Sequence, residues 1–135
     1  MTESQLVELR HDILLSAADW QSRALILAEL QELGYSVMAV PGVDGAISAI
    51  LKGLVDPPLL LIDVHNDPGA TPEKVSGLIS LLPGRPVILL TGVFDSSHWQ
   101  FLREEVSLYF RRPVRIGEVV VAVQKLLPRG PKTGE

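Results

Sequence analysis

The run Leu59-Leu60-Leu61-Ile62-Asp63 constrains this chain more than any other stretch: four consecutive apolar residues end in a carboxylate, and a polar, turn-forming segment, His65-Asn66-Asp67-Pro68-Gly69, follows. The run is too short for a helix and has no polar alternation, so it reads as a strand buried on both faces. A strand of that kind needs a layer packed on each side of its sheet. Asp63 then stands at the strand's carboxyl end, where loops and helix N-termini of open α/β sheets converge on one crevice.

The rest of the chain alternates in the same way. Asp12 to Ser16 is a second short buried run, ending in Ala17-Ala18-Asp19. From Ser22 the period changes, with Ile26, Leu27, Leu30 and Leu33 at helical spacing and Gly34 as the stop. Ser36 to Val40 is the next strand. Pro41-Gly42 then turns the chain into a helix that places Ala46, Ile47, Ile50, Leu51 and Leu54 on one face, ended by Asp56-Pro57-Pro58. Thr71-Pro72 has the form of a helix start, a capping hydroxyl followed by a residue whose missing N–H costs nothing there; Val75, Leu78, Ile79 and Leu82 continue it to Pro83-Gly84. Pro86 to Thr91 is a buried strand that delivers a hydroxyl to its end. A loop around Asp95 precedes a short helix at Trp99 and Leu102, Val106 to Phe110 is the fifth strand, and Arg111-Arg112-Pro113 interrupts it. Ile116 to Leu127 keeps helical rhythm in spite of its valines, whose helix propensity is mediocre. Residues 1–10 read as an N-terminal lead, 11–127 as one domain and 128–135 as a loose tail. Strands and helices in strict alternation imply a parallel sheet covered on both faces, because right-handed crossovers put helices there.

Composition narrows the function classes. With 135 residues and 47% hydrophobic content the chain builds one core of ordinary size. A net charge of −4 opposes a general nucleic-acid or anionic-membrane binder, which needs a basic face. The sequence has no cysteine, which removes disulfides and thiolate metal sites and fits a cytoplasmic home. No apolar run approaches the roughly 20 residues of a membrane helix. His65 and His98 have no second ligand at metal-site spacing, and no nucleophilic triad order or phosphate-binding glycine loop appears.

Four residues in order then carry a resemblance. From about Asp12 to Leu127 the chain resembles a bacterial response-regulator receiver domain, which has a phosphorylated aspartate ending strand three, a threonine or serine ending strand four, and lysine-proline after strand five. Asp63, Thr91 and Arg112-Pro113 stand at those places, and Tyr109 matches the family's switch aromatic three residues before the lysine. The resemblance implies an α/β, doubly wound, five-stranded parallel sheet of order 2-1-3-4-5, flavodoxin-like, with helices on both faces. It also implies a role in two-component phosphorelay signalling.

Two departures bear on mechanism. The family's acidic pair after strand one, which coordinates Mg²⁺, is matched here by Ala17 and Ala18, although Arg23 fits the usual register. Asp19 comes one place too late, and sliding it back would exchange the inward and outward faces of the strand end. Arg112 replaces lysine, keeping the charge but presenting a planar fork. A family-like site sums to −2 and attracts a divalent cation; Asp63 and Arg112 sum to zero, which points to an ion pair, with Asp63, Thr91, Arg112 and Asp19 as the pocket and no metal expected.

The sequence therefore reads as a degenerate receiver, not an enzyme, acting through protein–protein contact and needing no cofactor. The alternatives are a true phosphoacceptor, phosphorylated with Mg²⁺ on Asp63 by a histidine kinase, and a small-ligand domain using the same crevice. The expected partner is a protein, either a histidine kinase or an output protein, or a second copy through helix four, strand five and helix five. Trp99, Phe110 and Val121 are the interface candidates there: the first two are aromatic residues of that region, and Val121 is the one expected to point outward because three successive valines, 119 to 121, cannot all face the sheet.

Overall fold

The computed structural model describes residues 11–92 and 96–129, with Ser96 and Ser97 described by backbone alone. The N-terminal lead, the loop position Asp95 and the tail from residue 130 lie outside the described residues. The order is β1 (Ile13–Ala17), α1 (Trp20–Glu32), β2 (Val37–Val40), α2 (Val43–Leu51), β3 (Leu59–Asp63), α3 (Pro72–Ser80) and β4 (Val87–Thr91), then α4 (Ser96–Trp99) running into a 3₁₀ turn (Gln100–Glu104), β5 (Leu108–Arg111) and α5 (Ile116–Leu126). The strands form one five-stranded sheet, β2-β1-β3-β4-β5, with every pair parallel.

Continuous apolar runs are needed because the sheet is covered on both sides. Leu14, Leu60, Ile62, Val87 and Leu89 pack with Val43, Ala46 and Ala49 of α2 and with Val75 and Leu78 of α3. Their neighbours Ile13, Leu15, Leu59, Leu61, Ile88 and Leu90 pack with Ile26 and Leu30 of α1 and with Val119, Ala122 and Val123 of α5. Each strand residue thus belongs to one of two cores, following the period of two.

Helix ends follow their local chemistry. α1 begins at Trp20, before the first periodic residue, because the Asp19 side chain accepts from the Ser22 N–H; beyond its end Gly34 takes φ 94°. Thr71 caps α3 through the Lys74 N–H at 3.1 Å, with Pro72 in the first turn. Among the described residues no helix is long and apolar enough to cross a membrane.

Three expectations need correction. α2 stops at Leu51, and Leu51 and Leu54 are exposed instead of sharing its buried face: Leu51 stands off the face of Val43, Ala46 and Ala49, and Leu54 follows Gly53, whose φ of 72° turns the chain out of the helix. β5 runs from Leu108 to Arg111, so Val106 precedes it and Arg111 extends it. Trp99 is only 3% exposed and belongs to the core on the α2 and α3 side, so it is not a surface contact. The short α4 delivers its indole into that core, where burying so large an aromatic surface outweighs exposing it. Phe101, two residues on, is 62% exposed.

Candidate functional site

Asp63, Thr91 and Arg112 converge at the carboxyl end of the sheet, brought together by β3, β4 and the segment after β5. The register places Asp63 between Ala17 of β1 and Leu90 of β4. Asp63 and Thr91 are completely buried. A buried carboxylate survives only with its lone pairs taken. Arg112 supplies two donors as a fork, Nη1 to Oδ1 at 2.7 Å and Nη2 to Oδ2 at 2.6 Å, and the His65 N–H adds a third to Oδ1 at 3.1 Å. The Arg112 side chain is itself only 17% exposed, and its guanidinium also reaches Ser22 Oγ at 3.4 Å.

This geometry is what arginine provides and lysine does not, two parallel charge-assisted bonds in one plane. Its chemical consequence is direct. Charge-assisted bonds to both Asp63 oxygens draw electron density from the carboxylate and lower its nucleophilicity toward an electrophile.

The positions beside Asp63 are also engaged. Ala17 is its register partner on β1, and the carbonyl oxygens of Ala17 and Ala18 accept from Arg23 Nη1 at 2.8 and 3.4 Å. A second guanidinium therefore lies at the end of β1. Asp19 is used elsewhere. Its carboxylate caps α1 by accepting from the Ser22 N–H at 3.0 Å. That backbone hydrogen bond, then the Ser22 hydroxyl, hold its pKa below the ordinary value, with the His65 charge and the Asn66 side chain adding to the effect against a smaller rise from burial. Among the described residues no group of three or more His, Asp or Glu side chains is placed to share a metal ion.

Thr91 Oγ1 lies 3.4 Å from the Tyr109 hydroxyl, and the Arg103 guanidinium stands 5.2 Å over the Tyr109 ring. Tyr109 is half-buried against the core. Of the interface candidates, Val121 is 61% exposed and lines a shallow groove with Arg115, Gly117 and Glu118, whereas Phe110 is partly buried against the α1 and α5 core. Sequence reasoning missed Ser22, which meets Arg112 from across the fold, and Asp67. The turn-forming Asn66-Asp67-Pro68-Gly69 marked a loop without showing what its carboxylate would hold.

No protein-family model and no curated protein matches the sequence. Solved structures do. A CheY-like response-regulator receiver domain protein from Methanospirillum hungatei superposes with a TM-score of 0.73 at 20% identity, covering 86% of this chain and 90% of that one. A chain described as adenylate cyclase from Rhodopirellula baltica gives 0.72 at 19% identity over 87% and 86%. The receiver domain of a sensor histidine kinase from Pseudomonas aeruginosa, with a magnesium ion coordinated in its active-site cleft, gives 0.69 at 20% identity over 86% and 96%. At these identities the likeness concerns architecture, and on that level it is plain: the chain has the flavodoxin-like fold of a response-regulator receiver domain.

Proposed function

We propose that this chain is a receiver-type signalling module of a two-component system that works by binding other proteins, with the Asp63–Arg112 pair standing where a phosphoacceptor and its metal would act. The observation that carries this reading is the two-donor grip of Arg112 on a fully buried Asp63. A Mg²⁺ ion needs several oxygen ligands. Here the register partner of Asp63 at the end of β1 is Ala17 and the next residue is Ala18, both Asp63 oxygens accept from the guanidinium, and the Asp19 carboxylate is committed to a helix cap. These residues do not fit the ion that the Pseudomonas aeruginosa relative holds. Without it, phosphoryl transfer would lack the cation that offsets charge on the transferring oxygens, an effect worth several kcal/mol.

The rival reading within the same fold is a working phosphoacceptor, and one feature favours it: the Thr91 hydroxyl meets Tyr109 at the end of β4, the two positions where the receiver resemblance places its hydroxyl and switch aromatic. Intact-mass analysis after incubation with a small acyl-phosphate donor and Mg²⁺ separates the two. The proposal expects an unchanged mass under conditions that label an intact receiver. A hydroxylamine-sensitive phosphoryl adduct on Asp63 would establish the rival.

A further inference from the structure

Asp67 is the cap of a helix to which it does not belong. α2 begins after Gly42, which has no side chain to accept from the helix's first N–H groups. The β3–α3 loop supplies the missing acceptor: Asp67 Oδ2 takes the Val43 N–H at 2.9 Å, and Oδ1 takes the Gly69 N–H at 3.0 Å. The approach is close enough to require glycine, since Gly42 sits at φ 145° and a Cβ there would lie 3.0 Å from Asp67 Oδ2. Gly69 in turn lies against Asp44 of α2, where a Cβ would come within 2.5 Å of the carboxylate. Asp44 pairs with Lys74 of α3 at 2.9 Å. The first turns of α2 and α3 thus meet on the loop that follows Asp63.

The other end of that loop is fastened to the ion pair. The His65 N–H donates to Asp63 Oδ1, the oxygen that also takes Arg112 Nη1. Between the two ends there is little slack. The Val64 N–H bonds to Leu90 O at 3.0 Å, the Asp67 N–H to Val64 O and the Ala70 N–H to Asp67 O, both at 3.2 Å, and Asn66 holds the left-handed conformation at φ 57°. Pro68 fixes one more backbone angle.

We infer that the loop of residues 64–70 is a strap that carries the state of Asp63 to the first turns of α2 and α3. Drawing Arg112 away from Asp63 leaves a buried carboxylate short of donors. It must shift or recruit others, and the His65 N–H moves with it. Because the N–H groups of Val64, His65, Asp67, Gly69 and Ala70 are already committed, the displacement reaches Asp67, whose hydrogen bond to Val43 has a narrow range of working distances. The rim formed by Val43, Asp44 and Lys74 belongs to α2 and α3 on one side of the sheet, whereas Arg112 meets Ser22 of α1, whose layer with α5 is on the other. The device therefore moves information across the sheet, and it operates whatever disturbs the ion pair.

Amide hydrogen exchange followed by NMR on the full chain tests this. Val43 is fully buried, so its N–H reports opening of the cap. Arg112→Ala and Asp63→Asn are each expected to speed exchange at Val43 by about tenfold or more, the signature of local opening. The Lys52 N–H, bonded to Ser48 O at 2.9 Å at the far end of the same helix, should keep its rate. Asp67→Ala should speed Val43 to the same extent, and adding Arg112→Ala to it should bring little more, as two links of one chain are not additive. If Arg112→Ala does not fold, Arg112→Lys, which keeps the charge and loses the fork, carries the same comparison. An unchanged Val43 rate in a folded Arg112 or Asp63 variant, or full additivity with Asp67→Ala, would overturn the strap.

Discussion

Ala17 stands directly across from Asp63 in the β1–β3 register, and its own carbonyl oxygen is bonded to Arg23 at 2.8 Å. A carboxylate at residue 17 would therefore project beside Asp63, and one at residue 18 would follow at the strand end. Ala17→Asp with Ala18→Asp changes the local formal charge from zero, Asp63 against Arg112, to −2. Combined with Arg112→Lys to free the fork, this variant should bind Mg²⁺ in the low-millimolar range, with saturable shifts of the His65 amide. The wild type should show only shifts typical of scattered surface carboxylates. Failure of the variant to gain affinity would mean that the end of β1 is aligned wrongly with the receiver pattern.

The ion pair itself has a sign to test. Breaking a buried pair by removing one partner costs about 3–5 kcal/mol, because the other charge is left without compensation. Arg112→Ala is expected to lose stability in that range by urea denaturation at neutral pH, with an unchanged slope. Asp63→Ala with Arg112→Ala should lose less than Arg112→Ala alone, since nothing charged then remains buried. A double variant weaker than the single would place the cost in lost packing of the arginine stem.

The sheet was legible because its signals are local. Leu59 to Asp63 and Val87 to Thr91 show in their composition that they face two layers, and Thr71-Pro72 and Gly34 carry their cap chemistry in residue type alone. Leu51 and Leu54 misled because both fit the helical rhythm, yet the buried face of α2 is that of Val43, Ala46 and Ala49, and Leu54 lies beyond the left-handed Gly53 that follows the helix. Trp99 misled for another reason. A helix of four residues has no periodicity to orient an aromatic ring, so burial there was decided by the core into which it packs. The Asp67 cap joins residues 24 apart in sequence, and the Ser22–Arg112 contact joins residues 90 apart. Such pairings depend on the finished topology, which no local pattern encodes.

Asp19 gives a pH signature. The Ser22 N–H, with the Ser22 hydroxyl behind it, lowers the folded pKa of this carboxylate below its ordinary 3.8. A depressed folded pKa contributes stability that is complete above the unfolded value and is lost as pH falls through the folded one. Asp19→Ala should therefore cost about 1 kcal/mol near neutral pH, the usual worth of an N-cap. The gap between wild type and variant should close under acid conditions. A gap that persists at a pH below the folded pKa would show that the side chain contributes by packing and not as a charged cap.

The surface around β5 yields the last expectation, and its two aromatic residues divide the outcomes. Trp99 is buried and Phe101 exposed, so Trp99→Ala should cost about 3–5 kcal/mol of stability, the range for large aromatic truncation in a core. Phe101→Ala should leave stability within about 0.5 kcal/mol, as surface changes do. Val121 is similarly exposed on α5, beside Arg115 and Glu118, which gives an apolar centre with a charged rim. If this face is where the module meets its partner or a second copy, Val121→Asp should weaken association by placing a charge where the interface excludes water, without disturbing the fold. Sedimentation equilibrium of wild type, Val121→Asp and Phe101→Ala measures self-association, and capture of a purified candidate kinase or output protein measures the partner. Wild type that sediments as a monomer, together with partner capture that neither variant changes, would place the interface on another face of the molecule.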